Sequence, residues 1–471
     1  MDRFLQRLWH WVLGRQGVLK PPPEDSPGSP LPKKTGSEPP PLVRGERTLI
    51  VGVDFGTSST KVIWQDLSDN KFEILAWRAD KTGLSAFLLP STIDISDSNI
   101  YYGLTSEEKS KGQVRLSSIK LCVLCRNNPQ ICSCGNSVVQ KGVVDVPGLG
   151  RIYPASVFAC MFLAHVFRTV DHTLQTRFPN DDLFLVWNVG CPMDHLDIAK
   201  RKNEWEKMAG VALQIHKEGR DLTSTEILSH VASSLNAFRV PIQSERNFQV
   251  LPEGLAAVKA FLESAYAETK TYAIVDVGAG TTEVSFLFNG RDMKERGHPL
   301  RPCYLADSTH PVGGLQIDSE LAKAWNCSME EARTLKHQGK SNVPALSTVQ
   351  KICSQYVKTC WDIVKSRKLT ATNDKRFDLF VIGGGARLRP LHKALSSQHM
   401  PGSFMLQNAR QLQAPKGLRN RPSVQNDYDF LVNACGLASS LQWEYYPPHE
   451  VPPMAPPKQK PKIDPDEYYP K

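Results

Sequence analysis

Hydrophobic and polar positions trade places most sharply in two stretches of the chain. In the first, Ile50-Val51-Gly52-Val53 runs into Asp54 and the turn-rich Phe55-Gly56-Thr57-Ser58-Ser59, and β-forming residues return from Thr60. In the second, Tyr272-Ala273-Ile274-Val275 runs into Asp276 and Val277-Gly278-Ala279-Gly280-Thr281-Thr282, followed by an apolar run from Val284 to Phe288. Each reads as strand, tight turn, strand. The first hairpin is expected at 48–54 and 60–66, with 72–77 continuing its sheet. Helical spacing marks 153–178, 195–209, 255–267 and 347–366, and a further helix begins near Pro390. Short apolar runs at Leu183–Val189 and Leu379–Ile382 read as buried strands. Strands alternating with helices in two halves predict an α/β protein of two related lobes.

The two hairpins align without gaps, Asp54 on Asp276, Gly56 on Gly278, Ser59 on Thr281 and Thr60 on Thr282. They lie too far apart for a solenoid repeat and at a distance suited to duplicated domains. Glycines in such a turn leave no side chain between backbone N–H groups and a ligand, so the amides can form an anion nest. Threonine hydroxyls add donors, and an aspartate at the turn can hold a water-coordinated Mg²⁺. Two such turns facing one another would clamp a polyphosphate from both sides.

Composition narrows the partners. The 471 residues carry a net charge of +9, scattered rather than gathered in a basic block, so nothing argues for nucleic acid. Eleven cysteines follow no disulfide framework and no cleavable signal is visible, which points to a reducing, cytoplasmic setting. The apolar Met1, Phe4, Leu5, Leu8, Trp9, Trp11 and Val12 share one helical face opposite Arg3, Gln6, Arg7 and His10. Residues 1–14 of this 1–20 segment therefore suit a membrane surface, a protein-docking site or a transit peptide. Residues 21–47 are a Pro-rich linker and 444–471 a Pro-rich tail. The ordered body divides into 48–270 and 271–443, with a Cys-rich insert at about 120–136. There Cys122, Cys125, Cys132 and Cys134 have the spacing Cys-x₂-Cys-x₆-Cys-x-Cys. Four thiolates can close a tetrahedral Zn²⁺ site, or the residues can serve as small hydrophobes.

Further motifs, in order, complete a pattern. They are Leu251-Pro252-Glu253-Gly254-Leu255-Ala256-Ala257, Val312-Gly313-Gly314-Leu315-Gln316-Ile317-Asp318, Val381-Ile382-Gly383-Gly384-Gly385-Ala386-Arg387 and Ala434-Cys435-Gly436-Leu437-Ala438. With the two hairpins, the chain resembles the actin-like ATPase superfamily, most closely the nucleotide-binding domain of 70-kDa heat-shock chaperones. The resemblance implies two ribonuclease-H-like domains around a cleft that binds ATP or ADP with Mg²⁺.

By that resemblance Asp54 and Asp276 would organise hydrated Mg²⁺, and Glu253 would orient the attacking water. Lys120 would lie near the γ-phosphate. Backbone and hydroxyls at Gly56, Thr57, Ser58 and Ser59, and at Gly278, Ala279, Gly280 and Thr281, would cradle the phosphates. Gly313, Gly314, Lys358, Gly383, Gly384, Gly385 and Arg387 would line the rest of the nucleotide, with Arg387 flanking adenine. Read from the residues alone, Lys120 is equally a surface lysine and Glu253 a helix-start carboxylate. Two departures weaken strict adenine specificity. Gly385-Ala386 replaces the usual Ser-Thr, and Gln355, Lys358 and Thr359 replace the usual Glu, Lys and Arg.

The expected function is a weakly ATP-hydrolysing nucleotide switch acting on protein partners. Only a Pro-rich stretch follows Leu441, so the family's substrate-binding domain is not expected. A membrane-tethered, self-associating actin-like filament and a metabolite kinase of the same fold are the alternatives.

Overall fold

The computed structural model describes residues 45–445 except 79, 97, 106, 109–113, 126–138, 141, 148–149, 193–197, 243–246, 265–269, 290–302, 311–312, 338–376, 388–398, 401–403, 411, 420–424 and 442–443. The amphipathic segment, linker and tail lie outside the described residues, as do the helices expected at 347–366 and near Pro390. Among the described residues no helix is long and apolar enough to cross a membrane.

The protein is α/β, organised on two large mixed sheets. The first contains β1 (Gly45–Phe55), β2 (Ser59–Asp66), β3 (Lys71–Ile74), β4 (Asp181–Cys191) and β5 (Phe248–Pro252). Their order is β5-β4-β1-β2-β3, with Leu89–Pro90 pairing on β2. The second contains β6 (Lys270–Val277), β7 (Thr282–Asn289), β8 (Cys303–His310), β9 (Phe377–Ile382) and β10 (Phe404–Arg410), in the order β10-β9-β6-β7-β8 with short strands at both edges. In each sheet the leading strand pairs antiparallel with the next strand and parallel with the fourth, so one topology occurs twice.

Burial follows the sequence pattern. Every residue of β1 from Leu49 to Phe55 is buried, as expected for a central strand covered on both faces. Helix α1 (Ile119–Cys125), helix α2 (Ala155–Arg177) and helix α3 (Ile198–Lys217) belong to this half. Pro154, at the N-cap of α2, carries φ −60°, a torsion the ring imposes and a helix start accepts. The expected helices at 153–178 and 195–209 are thus found, the second running eight residues further to Lys217. Two small three-stranded sheets and the helix Ile227–Ala237 were not anticipated.

Helix α4 (Glu253–Leu262), helix α5 (Gly314–Trp325) and helix α6 (Val432–Ala438) follow in the chain. One cluster of buried side chains joins Ile63 and Phe72 of the first sheet, Leu255 and Phe261 of α4, Tyr272 and Phe380 of the second sheet, and Leu437 of α6. Helices α4 and α6 therefore share a core with both sheets. The last carbonyls of α6 and the turn beyond it, which lack helical partners, are held from the flanks. Asn188 Nδ2 donates to Leu437 O at 2.7 Å, and Lys259 Nζ to Ser439 O at 2.6 Å.

Burial lowers the Lys259 ammonium pKa to about 8, against a smaller upward pull from Glu263. Unfolded, this lysine keeps its ordinary value of 10.5, so between those pH values the unfolded chain binds the extra proton. Stability therefore rises with pH from about 8 to 10.5, by roughly 3 kcal/mol. In Lys259→Met that rise is expected to disappear, as read from urea unfolding at pH 7.5 and 9.5. A rise identical to the wild type's would locate its source elsewhere.

Candidate functional site

The two hairpin turns meet. A Cβ placed on Gly280 would stand 2.7 Å from Thr57 Oγ1, so only a hydrogen there lets the second turn close on the first. Around this meeting point opens a cleft of about 300 Å³. Asp54, Gly56, Thr57, Ser58, Ser59, Lys120, Glu253, Asp276, Gly278, Ala279, Thr281, Gly314, Gly383, Gly384 and Gly385 all line it. Gly280 lies against Thr57, and Gly313 packs on Gly278 and Ala279. Lys358 falls outside the described residues.

Not every amide of the turns points outward. Gly56 N–H donates to Asp54 O at 3.0 Å, and Gly278 N–H to Thr281 O at 2.9 Å. Gly314 N–H and Leu315 N–H donate to Gly278 O and Ala279 O, fastening the start of α5 to the second turn. The amides left as ligand donors are those of Thr57 to Ser59 and Ala279 to Thr281.

The hairpin register sets the electrostatics. Lys61 stands directly across from Asp54, and Glu283 directly across from Asp276. Lys61 Nζ bonds Asp54 Oδ2 at 2.8 Å, so the first aspartate has its own cation. The corresponding position in the second hairpin supplies a carboxyl instead. Asp276 is pushed up to about 6, chiefly by burial and then by the charges of Glu253 and Asp54, against the pull of a hydrogen bond from Asn433. Asn433 Nδ2 reaches Asp276 Oδ2 at 2.7 Å from α6. Gly383, at φ +76°, brings the end of β9 against the other carboxylate oxygen, where a side chain would collide with Asp276 and Val277.

Lys120 is 2% exposed and Glu253 4% exposed, and the two form a direct ion pair. Neither is a surface residue, although Glu253 does open α4. Burial works against the Lys120 charge, but Glu253, Asp54 and Glu283 outweigh it and raise its pKa. Burial raises Glu253, which Lys120 opposes. Burial and the neighbouring Glu253 raise Glu283 well above the usual range. Around the ion pair, Asp54, Glu253, Asp276 and Glu283 thus face Lys61 and Lys120, leaving this part of the site short of positive charge beside Asp276.

Phe430 and Arg333 also line the cleft, and Arg333 Nε bonds Asp318 at 3.0 Å. Arg387 does not line it. Its guanidinium stacks on the ring of Phe430, 4.4 Å from the centroid, and pairs with Asp427 and Asp429.

The cysteine cluster is only partly described. Cys122 is buried in the core of α1, while Cys132, Cys134 and the Cys125 side chain lie outside the described residues. Among the described residues no group of three or more His, Cys, Asp or Glu is gathered to hold a metal ion directly.

Sequence reading passed over Lys61, Glu283, Asn433 and Phe430. For Lys61 and Glu283 a signal existed, because pairing each hairpin about its turn sets them opposite the two aspartates. Asn433 and Phe430 carry no such local signal. No protein-family model and no curated protein matches the chain.

Proposed function

We propose that the protein is an ATP-binding, weakly ATP-hydrolysing nucleotide switch of the actin-like ATPase class, built like the ATPase domain of 70-kDa chaperones. One observation carries this reading: two equivalent aspartate-glycine turns, from two sheets of the same topology, meet across one cleft that also contains a buried Lys120–Glu253 pair. The repeated topology supports the two-lobed arrangement, with α4 and α6 as the connection between lobes.

The donor set fits a Mg²⁺-bound triphosphate. Thr57 and Thr281 present hydroxyls, Lys61 and Lys120 present cations, and the turns are closed to side chains where phosphate oxygens would approach. The crowding of carboxyls beside Asp276 suits a hydrated divalent ion, which would supply charge neutralisation to the phosphates when bound. Asp276 and Asp54 would hold that ion through its waters. Glu253, oriented by Lys120, would hold the attacking water in line, and Glu283 would keep a proton within the pair. A switch of this kind acts through protein partners that read the open or closed cleft.

The test is calorimetric. Wild-type protein is expected to bind ATP with Mg²⁺, and Asp276→Ala to lose about a hundredfold or more of that affinity. Unchanged binding in Asp276→Ala would refute the assignment. Phosphate release with and without sugars separates a hydrolase from a kinase, and nucleotide-dependent pelleting separates a monomeric switch from a filament.

A further inference from the structure

Helix α6 sends one side chain into the cleft among the described residues, that of Asn433. Its two polar atoms are in different situations. Nδ2 donates to Asp276 Oδ2, while Oδ1 is buried and has no hydrogen-bond partner. The orientation follows from chemistry, since a carboxylate accepts and only the NH₂ end of the amide can serve it. Asn433 is 8% exposed, so bulk water does not satisfy the remaining oxygen.

The donor that Oδ1 lacks is not supplied by the cleft's own cations. Lys61, paired with Asp54, and Lys120, paired with Glu253, do not hydrogen-bond Oδ1. A ligand entering the cleft can bring the donor. A water held on a divalent cation directs its lone pair at the metal and both hydrogens outward, which makes it a donor of the required kind. The cation-deficient side of the cleft is the side where Asn433 stands, next to Asp276.

We propose that Asn433 is a positioning residue for the hydrated divalent cation, its Nδ2 orienting Asp276 and its Oδ1 accepting a hydrogen bond from a cation-bound water. This rests on the nucleotide-switch reading above and adds to it a direct link from the cation to α6. That helix is fixed at its far end by Asn188 from the first sheet, and Lys259 of α4 holds Ser439 just beyond it. Occupancy of the cation site therefore bears on the element connecting the two sheets.

The experiment titrates Mg²⁺ at fixed ATP, and ATP in EDTA, for wild type, Asn433→Leu and Asn433→Ser, reading bound nucleotide by fluorescence. Thermal melts establish that each variant is folded, and the smaller serine serves if leucine is not accommodated. Both variants are expected to raise the half-saturating Mg²⁺ concentration about tenfold, as for loss of a hydrogen bond to a charged group. ATP affinity in EDTA is expected to change much less, by about threefold or under, because the lost contact is to the cation's water and not to the nucleotide. An unchanged Mg²⁺ midpoint, or an equal loss with and without Mg²⁺, would overturn the proposal. So would a variant that ceases to distinguish ATP from 2′-deoxy-ATP at an unchanged Mg²⁺ midpoint, because Oδ1 would then serve the sugar. Wild-type protein with no Mg²⁺-dependent nucleotide binding would defeat the switch reading itself, and Asn433's role with it.

Discussion

Lys120→Ala is expected to destabilise the protein by about 3–5 kcal/mol, the range for removing one member of a buried ion pair. The lysine is 2% exposed and bonded to Glu253, and its ammonium also feels Asp54 and Glu283. Without it Glu253, Asp54 and Glu283 lose the cation they share, and the neighbouring Lys61 already serves Asp54. The protein's escape is protonation. Burial already raises Glu253, and loss of Lys120 removes the largest influence that opposes it. The folded variant will therefore take up a proton that the unfolded chain, at neutral pH, does not hold. By linkage its stability falls as pH rises, so the loss relative to wild type is larger at pH 8 than at pH 5.5. Urea unfolding at both pH values measures this. Pairing Lys120→Met with Glu253→Gln should recover much of the loss, because the charge and its partner then leave together. A loss below about 1 kcal/mol at both pH values would place the pair in contact with solvent.

That ion pair also shows where the chain could be read and where it could not. The hairpins were legible because β-branched residues, an aspartate and glycines follow one another in a local order that fixes strand and turn. Lys61 and Glu283 were legible in principle, since an antiparallel register set by the turn puts them opposite Asp54 and Asp276. Helix α2 was legible from its spacing and its proline start. By contrast, Lys120 and Glu253 are 133 residues apart. No periodicity connects them, and only resemblance put both at the site. Asn433 and Asp276 are 157 apart, and an asparagine among small residues looks like any weak helix position. The strands Leu89–Pro90 and Val143–Val144 are two residues long, too short to carry a period of two. Arg387 illustrates a further limit. The resemblance implies that it stacks on or flanks adenine, and nothing local in the sequence shows that its guanidinium lies over Phe430, which lines the cleft.

Gly436→Ala offers the second large effect, and intrinsic propensity pushes against it. In an exposed helix interior, replacing glycine by alanine stabilises by about 1 kcal/mol. At Gly436 the added Cβ would overlap the carbonyl of Ala256 in α4, reaching 2.5 Å from its carbonyl carbon and 3.0 Å from its Cα. These are backbone atoms, so no rotamer change clears the space. Helix α6 cannot retreat either, for a side chain at Gly52 of β1 would stand 2.8 Å from the Leu437 carbonyl carbon on the opposite side. The helix is held between α4 and β1 at near backbone contact, and pushing it from one presses it into the other. Overpacking of this kind costs about 3 kcal/mol or more where backbone must move. The expected sign is therefore destabilisation, read as a lowered urea midpoint with an unchanged slope. Because Asn433 rides on the same helix, the displacement should also loosen its hold on Asp276 and weaken Mg²⁺-dependent nucleotide binding. Stabilisation by the roughly 1 kcal/mol that propensity alone gives would mean that α4 and α6 do not touch at this point. The connection between the sheets would then have to run through other residues.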